Sequence, residues 1–264
     1  MQNRYVGDIG DFGKYGLLKV LCQPSHDKMP QLSLGVAWYL VPDEGHNNDG
    51  KHVAYLDPIK KNIERFKNCD SFLYEELSKI VRNGERNIKS IRQSSILPHG
   101  TIYYETPLTF NGMATFGSSA YNRRLVFRKQ WVNGALELTK TSDVVFIDPD
   151  NGIEVGIERH HARGPKYVYF DELSPYLQRG QSLIIYHHIG RNGTAEEQIQ
   201  KRFLQIKQSV GNYEGTFALL YHRGTLRCYF IVPQEQHKDT LFERSKVLTS
   251  GIWAQHFSRI NPNP

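Results

Sequence analysis

The chain has 264 residues, 39% of them apolar, a formal net charge of +6 and three cysteines. That length and apolar share suit one large α/β domain, residues 1–264, with enough apolar material for a real core. Cys22, Cys69 and Cys228 are too few and too scattered for a disulfide framework or a Cys-rich metal site, which points to a reducing compartment. No apolar run reaches the roughly 18 residues of a membrane span. Arg4, Asp8, Asp11 and Lys14 interrupt any secretory apolar segment, so the expected location is the cytoplasm, with no membrane partner. The positive balance favours an anionic partner, with a merely basic surface as the alternative.

The first element is a helix reaching Cys22, with Leu17, Leu18 and Leu21 at helical spacing and Asp8 or Asp11 able to cap its start. Leu34 to Val41 is β-branched and aromatic and reads as a strand, followed by the polar loop Pro42 to Gly50. Residues 57–94 place Ile63, Phe66, Phe72, Leu73, Leu77, Ile80 and Val81 at helical spacing. That block is long for a crossover and predicts an inserted helical subdomain. A short strand at Thr101 to Glu105 and a glycine-rich loop over 108–118 follow, then a helix from Ser119 to Leu138 carrying Arg123, Arg124, Arg128 and Lys129.

Val144 to Ile147 is a short apolar run that stops abruptly at Asp148-Pro149-Asp150-Asn151-Gly152-Ile153-Glu154. It reads as a buried parallel strand, and open α/β sheets bind ligands just beyond the carboxyl ends of such strands. Lys166 to Asp171 is expected as a strand, Glu172 to Gln178 as a helix and Ser182 to His188 as a second buried strand. Thr194 with its early acids opens the next helix. Thr216 to Tyr221 and Leu226 to Val232, joined by His222 to Thr225, predict an antiparallel hairpin. The expected fold is therefore Rossmann-like, a mostly parallel sheet ending in that hairpin.

Asp148 is the first candidate site residue, because a carboxylate at a strand's carboxyl end is aimed at the crevice and can orient an amine, take a proton or hold a cation. The alternative is a turn in which Asp148, Asp150 and Asn151 satisfy only local backbone groups. Asp148, Asp150 and Glu154 together form an acidic set that suits Mg2+. Adjacent strand side chains face opposite ways, so at most one of His187 and His188 enters the site. No established zinc spacing joins that pair to His160-His161. Asp11 and Lys14 lie one helical turn apart and can share a face, or form an ordinary surface ion pair.

Three segments carry a family likeness: Gly7-Asp8-Ile9-Gly10-Asp11-Phe12-Gly13-Lys14 leading into a helix, Ile147 to Glu154, and Gly180-Gln181-Ser182 with the apolar strand after it. On these the chain resembles class I S-adenosylmethionine-dependent methyltransferases, and more narrowly the ribosomal-RNA adenine methyltransferases of the large-subunit J type. The resemblance implies S-adenosylmethionine as cofactor and nucleic acid as substrate. Asp148 with Asn151 and Asp150 would hold the target amine, and Asp43, Gly45 and Asp11 would line the cofactor site. Lys14 would meet the cofactor carboxylate, His187 would join the catalytic group, and Arg123, Arg124 and Arg128 would contact phosphates. Two departures stand out. The family follows Asp-Pro with Pro and an aromatic that stacks on the base, whereas Asp150 and Asn151 stand here, and the usual glycine-rich cofactor turn is reduced to Pro42-Asp43-Glu44-Gly45. Two other readings stay open: a Mg2+-dependent nuclease or phosphodiesterase using Asp148, Asp150 and Glu154, and a non-enzymatic protein of the same fold that binds nucleic acid or a partner.

Overall fold

The computed structural model describes residues 1–23, 31–45, 49–57, 63–211 and 213–263. Parts of the expected Pro42 to Gly50 loop and of the 57–94 helical block lie outside these residues.

Asp8 accepts a 2.8 Å hydrogen bond from the Gly10 amide and so starts α1 (Ile9–Cys22), satisfying one of the free N–H groups of a helix end. Gly10, Gly13 and Gly16 recur every three residues along it. A Cβ at these positions would fall 2.2–2.5 Å from the Arg227 guanidinium, the Tyr221 ring and the Trp253 ring. The glycines therefore let α1 lie flush against the C-terminal part of the chain. Its Asp11 and Lys14 project toward the sheet instead.

β1 (Leu34–Trp38) leads to α2 (Ile63–Lys67), α3 (Ser71–Arg82) and α4 (Ile88–Gln93), and then to β2 (Ile102–Tyr104). Leu73, Leu77, Ile80, Ile88 and Ile91 pack into the apolar cluster that holds α1 and one face of the sheet. Phe72, expected in the core, is 47% exposed with Lys19 over its ring. The 21-residue α5 (Ser118–Leu138) precedes β3 (Val144–Asp148). The expected strand at Lys166 to Asp171 shrinks to β5 (Tyr167–Val168), which pairs only with β4 (Gly152–Ile153), and Phe170 already begins α6 (Phe170–Gln178). β6 (Ser182–His188), α7 (Ala195–Val210), β7 (Phe217–Tyr221) and β8 (Arg227–Val232) follow, then α8 (Glu235–Ser250) and β9 (Phe257–Ile260).

The main sheet has seven strands in the order β2-β1-β3-β6-β8-β7-β9. β2, β1, β3 and β6 are parallel, while β8 runs antiparallel between β6 and β7, and β9 pairs antiparallel with β7. The chain moves outward from β1 to β2 and then returns past β1 to β3, so the winding reverses between β1 and β3, where α/β sheets open a ligand crevice. The period-2 alternation of strand side chains divides the core in two. Val144, Phe146, Ile184 and Tyr186 face α1 and α3, whereas Val145, Ile147, Leu183 and Ile185 belong to the opposite cluster. No helix among the described residues is long and apolar enough to cross a membrane.

Candidate functional site

Alternation alone carries Asp148, two residues past Phe146, onto the α1 face. There Lys14 Nζ lies 2.9 Å from Asp148 Oδ2 and 3.0 Å from Asp11 Oδ1, all three side chains buried. Burial opposes the Lys14 charge, but Asp11 and Asp148 outweigh it and keep the ammonium protonated well past its ordinary range. Burial raises the Asp11 carboxyl more than Lys14 lowers it. The expected Asp11–Lys14 pair is thus an interior device that reaches the strand end, not a surface ion pair.

This cluster forms the floor of a cleft of about 480 Å³ beyond the carboxyl ends of β3 and β6. Tyr186 enters from β6, with Lys14 Nζ 5.8 Å from its ring centre, and His188 enters two residues later on the same face. Arg227 closes one side, its NH2 3.2 Å from Asp8 Oδ1, and Tyr5 and His52 line another. Asn151 is on the rim: its amide donates to Lys166 O (2.8 Å) and its carbonyl accepts from the His188 amide (3.3 Å).

Asp150 lines the same cleft with its side chain buried. Its Oδ2 accepts from Gln2 Nε2 at 2.9 Å and lies 3.3 Å from Lys166 Nζ, while the Met1 amino group is 3.5 Å from Oδ1. Burial works against this charge, but the Met1 ammonium and Lys166 overcome it and hold the carboxyl below its usual range. Lys166 also grips Glu44 at 2.5 Å. The Glu44–Lys166–Asp150 chain walls this cleft off from a second one of about 420 Å³, on the β2 and α5 side.

Several expected site residues lie elsewhere. His187 points to the face opposite Asp148, where Nδ1 accepts from the Ile153 amide (3.1 Å) and Nε2 lies 3.3 Å from Arg202 Nε. Burial, then Arg202 and His188, push its pKa down to about 3, so it is a neutral packing residue that positions the loop after β3. Arg124 donates to His160 O at 2.8 Å. Arg128 forks onto Glu172 at 2.6 and 2.9 Å and onto Gly164 O and Tyr167 O, deeply buried. Of the three arginines expected on phosphates only Arg123 is exposed, because the other two secure the 160–167 segment against α5. Asp43 lines the second cleft and accepts from the Arg4 amide, and Gly45 lines neither cleft; only the far end of the loop, Asp49 and Gly50, reaches the Asp148 cleft. Glu154 accepts from the Phe170 amide at 2.9 Å, at the start of α6 and away from Asp148. Among the described residues no group of three or more His, Cys, Asp and Glu is arranged to hold a metal ion, so the Asp148, Asp150 and Glu154 set expected for Mg2+ is not assembled.

Tyr186 was not among the expected site residues and His188 stood there only as the alternative to His187, while Asp8 and Arg227 were not expected either. For the first two a signal existed: Ile147 pairs with Ile185, so Asp148, Tyr186 and His188 must share a face once the register is known. For Arg227 the signal is only that Gly10 leaves room for it.

Fold and site define a class: an α/β protein with a seven-stranded sheet and a charged cleft at the carboxyl ends of its parallel strands. No known family and no curated protein matches the sequence. Among solved structures the chain is similar to protein LPL1258 from Legionella pneumophila str. Philadelphia 1, described as family-model DUF519, at 12% identity and a TM-score of 0.42, with 96% of each chain covered. That likeness is too distant to carry a fold or a function.

Proposed function

We propose that the Asp148 cleft is the site of an S-adenosylmethionine-dependent methyl transfer to an amine of a nucleic acid. The observation that carries this reading is the meeting of Asp148, Lys14 and Asp11 at the end of β3, beside the winding reversal and next to an aromatic wall from β6. The cleft fits the cofactor in size and charge: its volume is in the range of sites for molecules of this size, and it offers carboxylates to the amino and sulfonium groups and Lys14 to the carboxylate. Tyr5 and Tyr186 put two rings on the lining, which compensates for Asn151 standing where the resembled family has an aromatic.

S-adenosylmethionine supplies an already electrophilic methyl group, so the protein's task is positioning. Asp148 would accept a hydrogen bond from the target amine and turn its nitrogen lone pair toward the methyl group; as the N–C bond forms and the sulfonium S–C bond breaks to leave a thioether, the same carboxylate would take the proton that the nitrogen sheds. Lys14 fixes the carboxylate, and its ammonium, held by two acids, would also face the cofactor carboxylate. Arg227, anchored on Asp8, lines the same cleft.

The test is transfer of a radiolabelled methyl group to total RNA and to DNA. Wild type is expected to label one of them and Asp148→Asn to lose about 100-fold or more in rate, the scale of a lost catalytic proton acceptor. Full activity in Asp148→Asn would remove the reading. Nucleic-acid binding kept in both forms with no labelling by either would point instead to a non-enzymatic binding protein.

A further inference from the structure

The second cleft, about 420 Å³, opens between the loop after β1, the 108–115 loop and the segment around 162–166. Arg124 forms part of it, buried, with its guanidinium carbon 5.2 Å from the centre of the Phe110 ring and its Nε without a hydrogen-bond partner. The α5 start is fixed against this segment by the Arg124 bond to His160 O and by Tyr121 stacked on His160 at 4.2 Å. Thr115 and Ala162 both line the cleft. The residues beside them point to a ligand: Phe116 is 85% exposed, and Arg163 is exposed, as is Arg123 on the first turns of α5. The cleft's own acids are engaged, Glu44 with Lys166 and Asp43 with the Arg4 amide. An exposed ring and unburied arginines that adjoin in sequence the lining residues Thr115, Ala162 and Arg124 of a groove with a buried guanidinium have the chemistry of a single-strand nucleic-acid track, in which bases stack on aromatics and cations follow the phosphates.

We infer that the second cleft and its Phe116, Arg123 and Arg163 rim hold the nucleotides flanking the target in a single-stranded nucleic acid, on the far side of the Glu44–Lys166–Asp150 wall from Asp148. The inference builds on the proposed function, since it lays the substrate strand across two clefts that share this wall. An acidic peptide would satisfy the arginines but would leave Phe116 without a base to stack on.

The test is fluorescence anisotropy of labelled single-stranded RNA and DNA 12-mers of one sequence, with wild type, Phe116→Ala and the Arg123→Ala/Arg163→Ala double variant of the full chain. All three substituted side chains are exposed, so folding is not at stake. Phe116→Ala is expected to bind the preferred oligonucleotide roughly five-fold or more weakly, the loss of one stacked base. The arginine double variant is expected to bind more weakly and with a shallower salt dependence. The RNA and DNA arms identify the strand. Unchanged affinity in both variants, or equal competition by an acidic peptide of the same charge, would overturn the inference. Calorimetry with S-adenosylmethionine on the same three proteins separates the two ideas: lost oligonucleotide affinity without cofactor heat in wild type removes the methyl-transfer reading and keeps the track, and the reverse pattern does the opposite.

Discussion

At the scale of single residues, Lys14 bears the most electrostatic weight. It is the shared partner of two buried carboxylates, and removing one member of such a cluster leaves charge in a poorly solvated place. Lys14→Met is therefore expected to cost about 3–5 kcal/mol in urea denaturation at neutral pH. The loss should shrink on acidification. Burial already raises Asp11 above its unfolded value, and a raised carboxyl contributes stability that is present below the unfolded pKa and lost as pH rises through the folded one. Without Lys14 the Asp11 pKa rises further, so the variant should be relatively most stable in mild acid. A cost below about 1 kcal/mol at neutral pH, the worth of a surface ion pair, would show that the cluster is solvated and not an interior device. The chemistry of Asp11 and Lys14 was visible in their spacing, but their shared partner was not, since it lies 134 residues further along the chain.

At the scale of elements, β6 shows how one strand divides its labour. Tyr186 and His188 face the cleft, while His187 between them is turned to α7 and holds the loop after β3 through the Ile153 amide. Gly152 takes φ +112°, and a Cβ there would fall 2.3 Å from His187 Nδ1, so only glycine lets the loop lie this close to the imidazole. The His187 pKa falls to about 3 in the folded protein against about 6.5 unfolded. A depressed histidine contributes stability that is complete above the unfolded value and lost as pH falls toward the folded one. Between pH 7 and 5 wild type should lose about 2 kcal/mol more than His187→Gln, read as the difference in the slopes of their unfolding free energies against pH. Parallel slopes would mean that His187 is solvated. The His-His pair was legible as one residue in and one out, but which of them faces inward depends on the β3–β6 register and on the side that α1 takes, neither of which is local information.

At the scale of the whole molecule, an α/β fold with an apolar β3 ending at a polar turn could be read from residue order alone, because buried parallel strands and amphipathic helices carry distinct periods. The arginines of α5 could not be placed: Arg123, Arg124 and Arg128 differ only in the side of the helix they occupy, and two of them turn inward to hold the 160–167 segment. Likewise Pro42 to Gly45 looked like a ligand loop from its turn residues, yet its Glu44 joins Lys166 in a wall between clefts. The proposed function requires the cleft floored by Asp11, Lys14 and Asp148 to receive S-adenosylmethionine. Titration calorimetry of the full chain tests it most directly. Saturable heat is expected, with a Kd of about 1 mM or tighter, roughly −4 kcal/mol or better, that is lost in Lys14→Gln while urea denaturation shows the variant still folded. No heat from wild type at millimolar cofactor, or undiminished heat from folded Lys14→Gln, would contradict it.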